Sequence, residues 1–305
     1  MPTSSSPLPA ATHQLPLRVR ATLLLWALVP AVAIVALAAY AVQSGREQHG
    51  RRAELLSQNL ASALDNTVGA EVAKLDIALV TIADLAQQQL AARGLDLPAL
   101  TKVVQAQRQR HPELSGIRVL DAQGTTLVGD NRPGEPPINL ADRDWFITQR
   151  GNTSGGLVIS QPLQRKIDGV WVVSFSRRIT DAQGRLAGVV SAAMSLQSLQ
   201  RHLQAVDVGP HGVVMLRDRS NRLLVRQTDE AGPAATPIGS RVMPPALAAL
   251  MDSGAPRGTV RAVPTPDGSV RTVTFSNVDG APLRVVVALA TADYLADWQR
   301  ERQLV

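Results

Sequence analysis

The chain has no cysteine, which excludes disulfides, thiolate catalysis and cysteine-based metal sites. Lysine is nearly missing too. Only Lys74, Lys102 and Lys166 occur, so the net charge of +6 rests almost wholly on arginine. The basic residues are scattered, with nothing longer than pairs such as Arg51-Arg52 and Arg177-Arg178. A nucleic-acid surface needs clustered basic residues interleaved with stacking aromatics. Aromatics are scarce here: four Trp, two Tyr and three Phe in 305 residues. Nucleic acid is therefore not an expected partner. The histidines, His13, His49, His111, His202 and His211, are dispersed without metal-ligand spacing, so no metal is expected. No G-x-S-x-G elbow and no Gly-rich phosphate loop before a helix is present. Without a nucleophile–base pair, the chain reads as a non-enzyme with no cofactor.

Charge itself is absent from one long stretch, Ala21 to Gly45. As a helix this segment would be about 37 Å long, enough to cross a hydrocarbon core of about 30 Å. It reads as a transmembrane helix over 21–45, with Trp26 and Tyr40 near its ends as interfacial aromatics. The leader, 1–20, carries Arg18 and Arg20 and no acid; the far flank carries Arg46, Arg51 and Arg52 diluted by Glu47 and Glu54. A short leader usually stays inside and a long following region translocates. The leader is accordingly read as cytoplasmic and residues 46–305 as outside. The rival is a cleaved signal peptide, for which Ala36-Leu-Ala38 and Ala39-Tyr-Ala41 offer small-x-small sites. The segment exceeds the usual signal core of about 7–15 residues, and an uncleaved anchor is the preferred reading.

Beyond it, Leu56, Leu60, Leu64, Val68, Val72, Leu75, Leu79, Ile82 and Leu85 recur at spacings of three and four. This predicts one amphipathic stalk helix in the segment 46–94, ending near Gly94 and Pro98. At about 70 Å it must run past two domains or pair with a partner helix. A shorter helix is expected over Leu100–Arg110. Strand patterns follow at 116–121, 125–129, 157–160, 170–179 and 186–194. A helix near Leu196–Val206 then introduces strands at 212–217, 222–227, 258–263, 270–276 and 283–289, with a short helix at Pro245–Met251 among them. The turn Asp121-Ala-Gln-Gly124 returns as Asp181-Ala-Gln-Gly184. Helix-then-meander twice over argues an α+β fold with helices on one face of each sheet.

Four of the nine aromatics fall close together: Trp145, Phe146, Trp171 and Phe175. Asp142, Arg143 and Asp144 precede them, and Arg165, Lys166 and Asp168 lie between. Aromatic walls with a few convergent charges suit a small polar ligand, and arginine can grip a carboxylate with two parallel hydrogen bonds. The candidate ligand-binding residues are Arg143, Asp144, Trp145, Phe146, Arg165, Trp171 and Phe175. The competing reading makes the aromatics ordinary core. Trp171, Val173 and Phe175 share one strand face, so part of it must pack inward. Asp142 is a plausible N-cap for a helix starting at this point.

The pattern resembles the double Cache family of extracytoplasmic tandem PAS-like sensor domains in bacterial receptors. The likeness covers about residues 46–298. It rests on the membrane helix running into a long helix, the two helix-plus-meander units, and Asp142-Arg-Asp-Trp-Phe146. Val172-Val-Ser-Phe-Ser176, followed by Asp181-Ala-Gln-Gly-Arg-Leu-Ala-Gly-Val-Val190, completes it. It implies a membrane-distal PAS-like ligand-binding domain at 95–195, a membrane-proximal PAS-like domain at 196–290, and a C-terminal helix at 291–305. Members that bind amino acids carry Arg-x-Trp-Tyr/Phe, matched here by Arg143, Trp145 and Phe146, with the arginine on the ligand carboxylate. The family's upstream tyrosine falls near Ile138, its Tyr-x-Asp element near Leu163 and Arg165, and its amine-binding aspartate near Ala193. Since these acids are missing, an anion such as a small carboxylate is expected rather than an amino acid.

The function so implied is the small-molecule input domain of a signal-transduction receptor. It would be single-pass in the bacterial inner membrane, with its main part periplasmic, and a homodimer through the stalk helix. Receptors of this kind carry a second span and a diguanylate cyclase, histidine kinase or chemoreceptor output. None lies within this sequence, and a second span is expected just past Val305. The alternative is a membrane-anchored periplasmic binding or structural module without signalling output.

Overall fold

The computed structural model describes residues 17–296 apart from 93, 130–136, 167 and 230–235. At the start of the first helix it describes side chains only at 28, 32–34, 36–41 and from 43 onward. Most of the expected leader and the second half of the expected final helix therefore lie outside the described residues; 291–296 are helical. The chain divides into two compact units, 1–49 and 50–305.

Helix α1 is Leu17–Ala92. In the first unit, Leu28, Val32, Ile34, Leu37 and Tyr40 are exposed. Among the described residues no helix is long and apolar enough to cross a membrane. The expected span at 21–45 is helical, but the side chains of 21–27, 29–31, 35 and 42 lie outside the described residues.

In the second unit, α1 buries the seam Ala53, Ser57, Ala61, Leu64, Val68, Val72, Leu75, Leu79, Ile82 and Ala86. Its spacing of three and four keeps one face inward along the whole length. The expected stripe held from Leu64 to Ile82 but not at its start. Leu56 is half exposed and Ser57 takes the inward place. A small residue is needed there, because Ser57 Oγ lies 2.6 Å from Thr274 Oγ1 on the second sheet. A leucine would hold helix and sheet apart.

Helix α2 (Leu97–Arg110) begins three residues earlier than expected. Asp96 caps it, its side chain accepting a hydrogen bond from Ala99 N at 3.0 Å. Pro98 sits in the first turn, where its missing N–H costs nothing. Strands β1 (Leu114–Asp121) and β2 (Thr126–Val128) form the first hairpin. Helix α3 (Asp144–Gly151) follows, then β3 (Val158–Ile159), β4 (Leu163–Gln164), β5 (Trp171–Thr180) and β6 (Leu186–Ser195). Helix α4 (Leu196–Leu203), capped by Ser195, leads to β7 (Val213–Asp218) and β8 (Leu223–Gln227). Helix α5 (Pro245–Asp252) precedes β9 (Arg257–Pro264), β10 (Val270–Asn277) and β11 (Leu283–Ala290).

All pairings are antiparallel. The first sheet runs β2-β1-β6-β5-β3 with β4 also on β5, and the second runs β8-β7-β11-β10-β9. The order is the same in both, as the repeated helix-plus-meander pattern predicts. One face of each sheet packs on α1. Val119, Val173, Phe175 and Val190 do so in the first; Val214, Leu216, Val285 and Val287 do so in the second. The opposite faces carry separate apolar clusters and a helix each, so helices cover both faces of each sheet rather than the one face expected. Leu120, Val189, Leu140, Trp145 and Phe146 form one, with α3. Val213, Val273, Phe275, Val286, Leu247 and Met251 form the other, with α5.

Candidate functional site

The repeated turn builds one rim of the candidate site. In the first copy, Asp121 Oδ1 accepts hydrogen bonds from the backbone of Gln123 and Thr125 at 2.9 and 2.8 Å. Gly124 takes φ +81°, the left-handed conformation that a glycine adopts without strain. The segment 139–141 docks directly on this turn. Leu140 N donates to Gly124 O at 2.8 Å, and Asn139 Nδ2 donates to Gln123 O at 3.0 Å. A Cβ on Gly124 would come within 2.7 Å of the Ala141 backbone nitrogen. The turn thus holds the start of α3, and with it Arg143 and Trp145, over the face of the first sheet that turns away from α1.

Between them lies a cavity of about 30 Å³, lined by Arg118, Arg143, Trp145, Arg165, Lys166 and Ser174 among others. Its space accommodates about two waters. Among the described residues, four that line it are basic and none is acidic. Arg143 donates to Gln164 O at 3.4 Å. Arg165 donates to Ser115 O at 2.9 Å and forms a fork with Asp168, Nε to Oδ1 at 3.0 Å. Lys166 Nζ meets Asp142 Oδ2 at 2.9 Å. The hydrogen bond from Lys166 holds the Asp142 carboxyl below its ordinary range, and the hydrogen bond from Arg165 does the same for Asp168. Two carboxylates at the rim thus already engage two of the cations.

The seven candidate residues divide by their surroundings. Arg143, Trp145 and Arg165 converge on the cavity. Phe146 is fully buried beside Trp145, ring centroids 6.1 Å apart in an edge arrangement, and supports that wall from behind. Asp144 lies in the first turn of α3, and its Oδ2 accepts from Gln161 N at 3.0 Å, tying the helix to the chain entering β4. Trp171 is 38% exposed at the start of β5. Phe175 packs among Val68, Val72 and Leu75 of α1, on the other side of the sheet from the cavity. Strand alternation is the reason: Val172 and Ser174 face the cavity, so Val173 and Phe175 cannot.

Asp142 does not cap α3. The N-cap is Arg143, without a side-chain hydrogen bond, and Asp142 is drawn away by Lys166. The acid at the helix start is instead Asp144, favourably placed against the helix dipole. Sequence reasoning missed Arg118, Ser174 and Ser191 in the lining. Arg118 carried a signal, a lone charge inside the apolar run Ile117-Arg-Val-Leu120. Ser174 and Ser191 carried none. Ile138, Leu163, Arg165 and Ala193, near which the family resemblance was expected to place its polar ligand contacts, all line this cavity.

Two matching antiparallel sheets on one long helix, each with a helix across its other face, define a tandem PAS-like ligand-binding architecture. The family model described as Cache domain matches residues 35–298, and the chain belongs to that family, as a double Cache sensor of the kind found in signal-transduction receptors. Among solved structures, the extracellular domain of rpHK1S-Z16, described as a histidine kinase, is 25% identical with a TM-score of 0.67, covering 79% of this chain and 95% of that one. The ligand-binding domain of the Pseudomonas fluorescens chemoreceptor CtaA, in complex with L-isoleucine, is 16% identical with a TM-score of 0.58, covering 83% and 97%. That of the Pseudomonas aeruginosa PAO1 amino acid chemoreceptor PctC, in complex with GABA, is 18% identical with a TM-score of 0.55, covering 77% and 99%. The latter two are likenesses of fold. No curated protein matches the chain.

Proposed function

We propose that the chain is the extracytoplasmic input region of a membrane receptor and senses a small carboxylate at the first sheet. The carrying observation is the lining of that cavity: four basic side chains, an aromatic wall and, among the described residues, no acid. CtaA and PctC are seen with ligands that pair a carboxylate with an amine. An ammonium would need an acidic partner, and among the described residues none lines this cavity. A carboxylate without an amine fits better. In this reading it displaces Asp168 from Arg165 and widens the narrow space, with Arg143 as its main grip.

The proposed layout keeps residues 95–195 as the membrane-distal domain and 196–290 as the proximal one. The stalk at 46–94 joins them to a span at 21–45, with the leader inside and the rest periplasmic. The exposed Leu28, Val32, Ile34 and Leu37 support the span. Leu55, Leu56 and Ile77, exposed on α1, support a homodimer through the stalk. Ligand would shift the packing of the first sheet on α1 between two populations, and the helix would carry that shift toward the membrane.

The test is titration of the full chain in nanodiscs with acetate, lactate, succinate and a panel of amino acids. Organic acids should bind, and Arg143→Ala should abolish that binding with the fold intact. Binding by zwitterionic amino acids alone would defeat the charge argument.

A further inference from the structure

A larger cavity, about 220 Å³, lies on the face of the second sheet that turns away from α1. Its walls are apolar: Val213, Met215, Met243, Leu247, Val273 and Ala288. One end is charged. Asp267 is shared there by two arginines, Nη2 of Arg226 at 3.0 Å and Nη1 of Arg271 at 2.6 Å. The third arginine, Arg217, is only 2% exposed and has no carboxylate in ion-pair range among the described residues. Its Nη1 donates to Asn221 O at 2.7 Å and its Nη2 to Val242 O at 2.9 Å. Its Nε is buried and has no acceptor among the described residues.

A buried guanidinium satisfied by carbonyl dipoles and the Met215 thioether, with no carboxylate in ion-pair range among the described residues, is an expensive arrangement. Burial accordingly pushes Arg217 down to about 10 from its ordinary value. Such a cation beside an apolar void is the complement of an acid with a hydrocarbon body. Size narrows the class. A cavity of about 150 Å³ holds benzene, so 220 Å³ has room for a six-carbon body together with its carboxylate.

We propose that this cavity is a second ligand site, taking a monocarboxylate with an apolar body of about six carbons, its carboxylate toward Arg217. The site is separate from the first-sheet cavity and stands whether or not that one binds. Two sites on one helix would let the chain read two classes of acid, a small polar one and an apolar one.

The probes are benzoate and hexanoate, titrated into the full chain in nanodiscs, with benzyl alcohol and hexanol as neutral counterparts. The acids are expected to bind with Kd below about 1 mM and about 10- to 100-fold more tightly than the alcohols, the worth of a charge-assisted hydrogen bond. Arg217→Met should remove that preference, and Met243→Trp, which fills the cavity from its apolar wall, should remove binding of both acids. Arg143→Ala should change neither. Equal affinity for acids and alcohols, or no binding of either acid, overturns the proposal. So does loss of binding in Arg143→Ala with retention in Met243→Trp, because the acid would then sit at the first sheet. If Arg217→Met does not fold, the alcohol comparison and Met243→Trp still decide.

Discussion

Arg177 on β5 grips Asp76 on α1 with both arms of its guanidinium, Nε to Oδ1 at 2.5 Å and Nη2 to Oδ2 at 2.8 Å. The two residues are 101 positions apart in sequence and join the first sheet to the helix. Apolar packing holds the same elements together, but it lets them slide. A two-pronged ion pair sets register. The second sheet has its own ties: Asp65 Oδ2 accepts from Ser276 Oγ at 2.8 Å, and Glu54 Oε2 accepts from Arg261 Nε at 2.6 Å. Any movement of sheet against helix must strain or break these contacts.

Asp76→Asn should therefore lower stability by about 1–3 kcal/mol, since it removes the carboxylate from a part-buried guanidinium. Thermal unfolding reads this as a fall of about 2–8 °C for a region of this size. The hydrogen bond that Arg177 donates to Asp76, and the charge of that carboxylate, raise the affinity of Arg177 for its proton. An unchanged midpoint would mean the pair is decorative.

The two Asp-Ala-Gln-Gly turns should not respond equally to alanine. Gly184→Ala meets open space and suffers only from φ +75°, a cost of about 1 kcal/mol. Gly124→Ala combines φ +81° with a clash against the Ala141 backbone, and should cost about 2–3 kcal/mol. Chemical denaturation of the two variants checks the order. Gly124→Ala should also weaken binding at the first-sheet cavity, whose rim it displaces.

Asp168→Asn should strengthen binding of a small organic acid at the first sheet. It removes the internal carboxylate that occupies Arg165, and the gain should be about 2- to 5-fold for a partly exposed pair. Calorimetric titration of wild type and variant gives the ratio. Weaker binding in the variant would show that Asp168 orients Arg165 rather than competing for it.

Acid should loosen the second sheet through Asp267. Burial alone would raise its carboxyl, but hydrogen bonds from Thr265 and Arg271, and the Arg271 charge, outweigh burial and hold it below the ordinary value of 3.8. A carboxyl lowered in the folded state contributes stability above that ordinary value and loses it as pH falls through the folded value. Stability should accordingly drop below about pH 4. Asp267→Asn should flatten that slope and cost about 3 kcal/mol at neutral pH, because it removes the carboxylate that Arg226 and Arg271 share. Melting curves between pH 2 and 7 for both proteins test it.

Much of the fold was legible because each signal is local. The three-and-four spacing from Leu64 to Ile82 dictates a helix face whatever packs on it. The alternation from Trp171 to Ile179 dictates a strand, and Asp121 and Asp181 build their turns with their own carboxylates. Helix α3 was read only as a plausible start at Asp142, since it is eight residues long and has no side-chain cap. Strand β4, two residues long, carries no periodicity at all.

The candidate site divides along the same line. Sequence alone brought Arg143, Trp145 and Arg165 under suspicion, because charges and aromatics gather there in a chain with few aromatics. It could say that Trp171 and Phe175 share a face, but not that this face belongs to α1. Alternation relates neighbours on a strand; which side meets the helix is decided by where all six strands of the first sheet bury their apolar residues together. The same holds for Arg217 and Arg271, each an ordinary arginine at a strand position until the second sheet closes over it. Composition and periodicity therefore determined the elements, their order and their repetition. Burial, which depends on every element at once, decided which charges lost their water and so where a ligand can take its place.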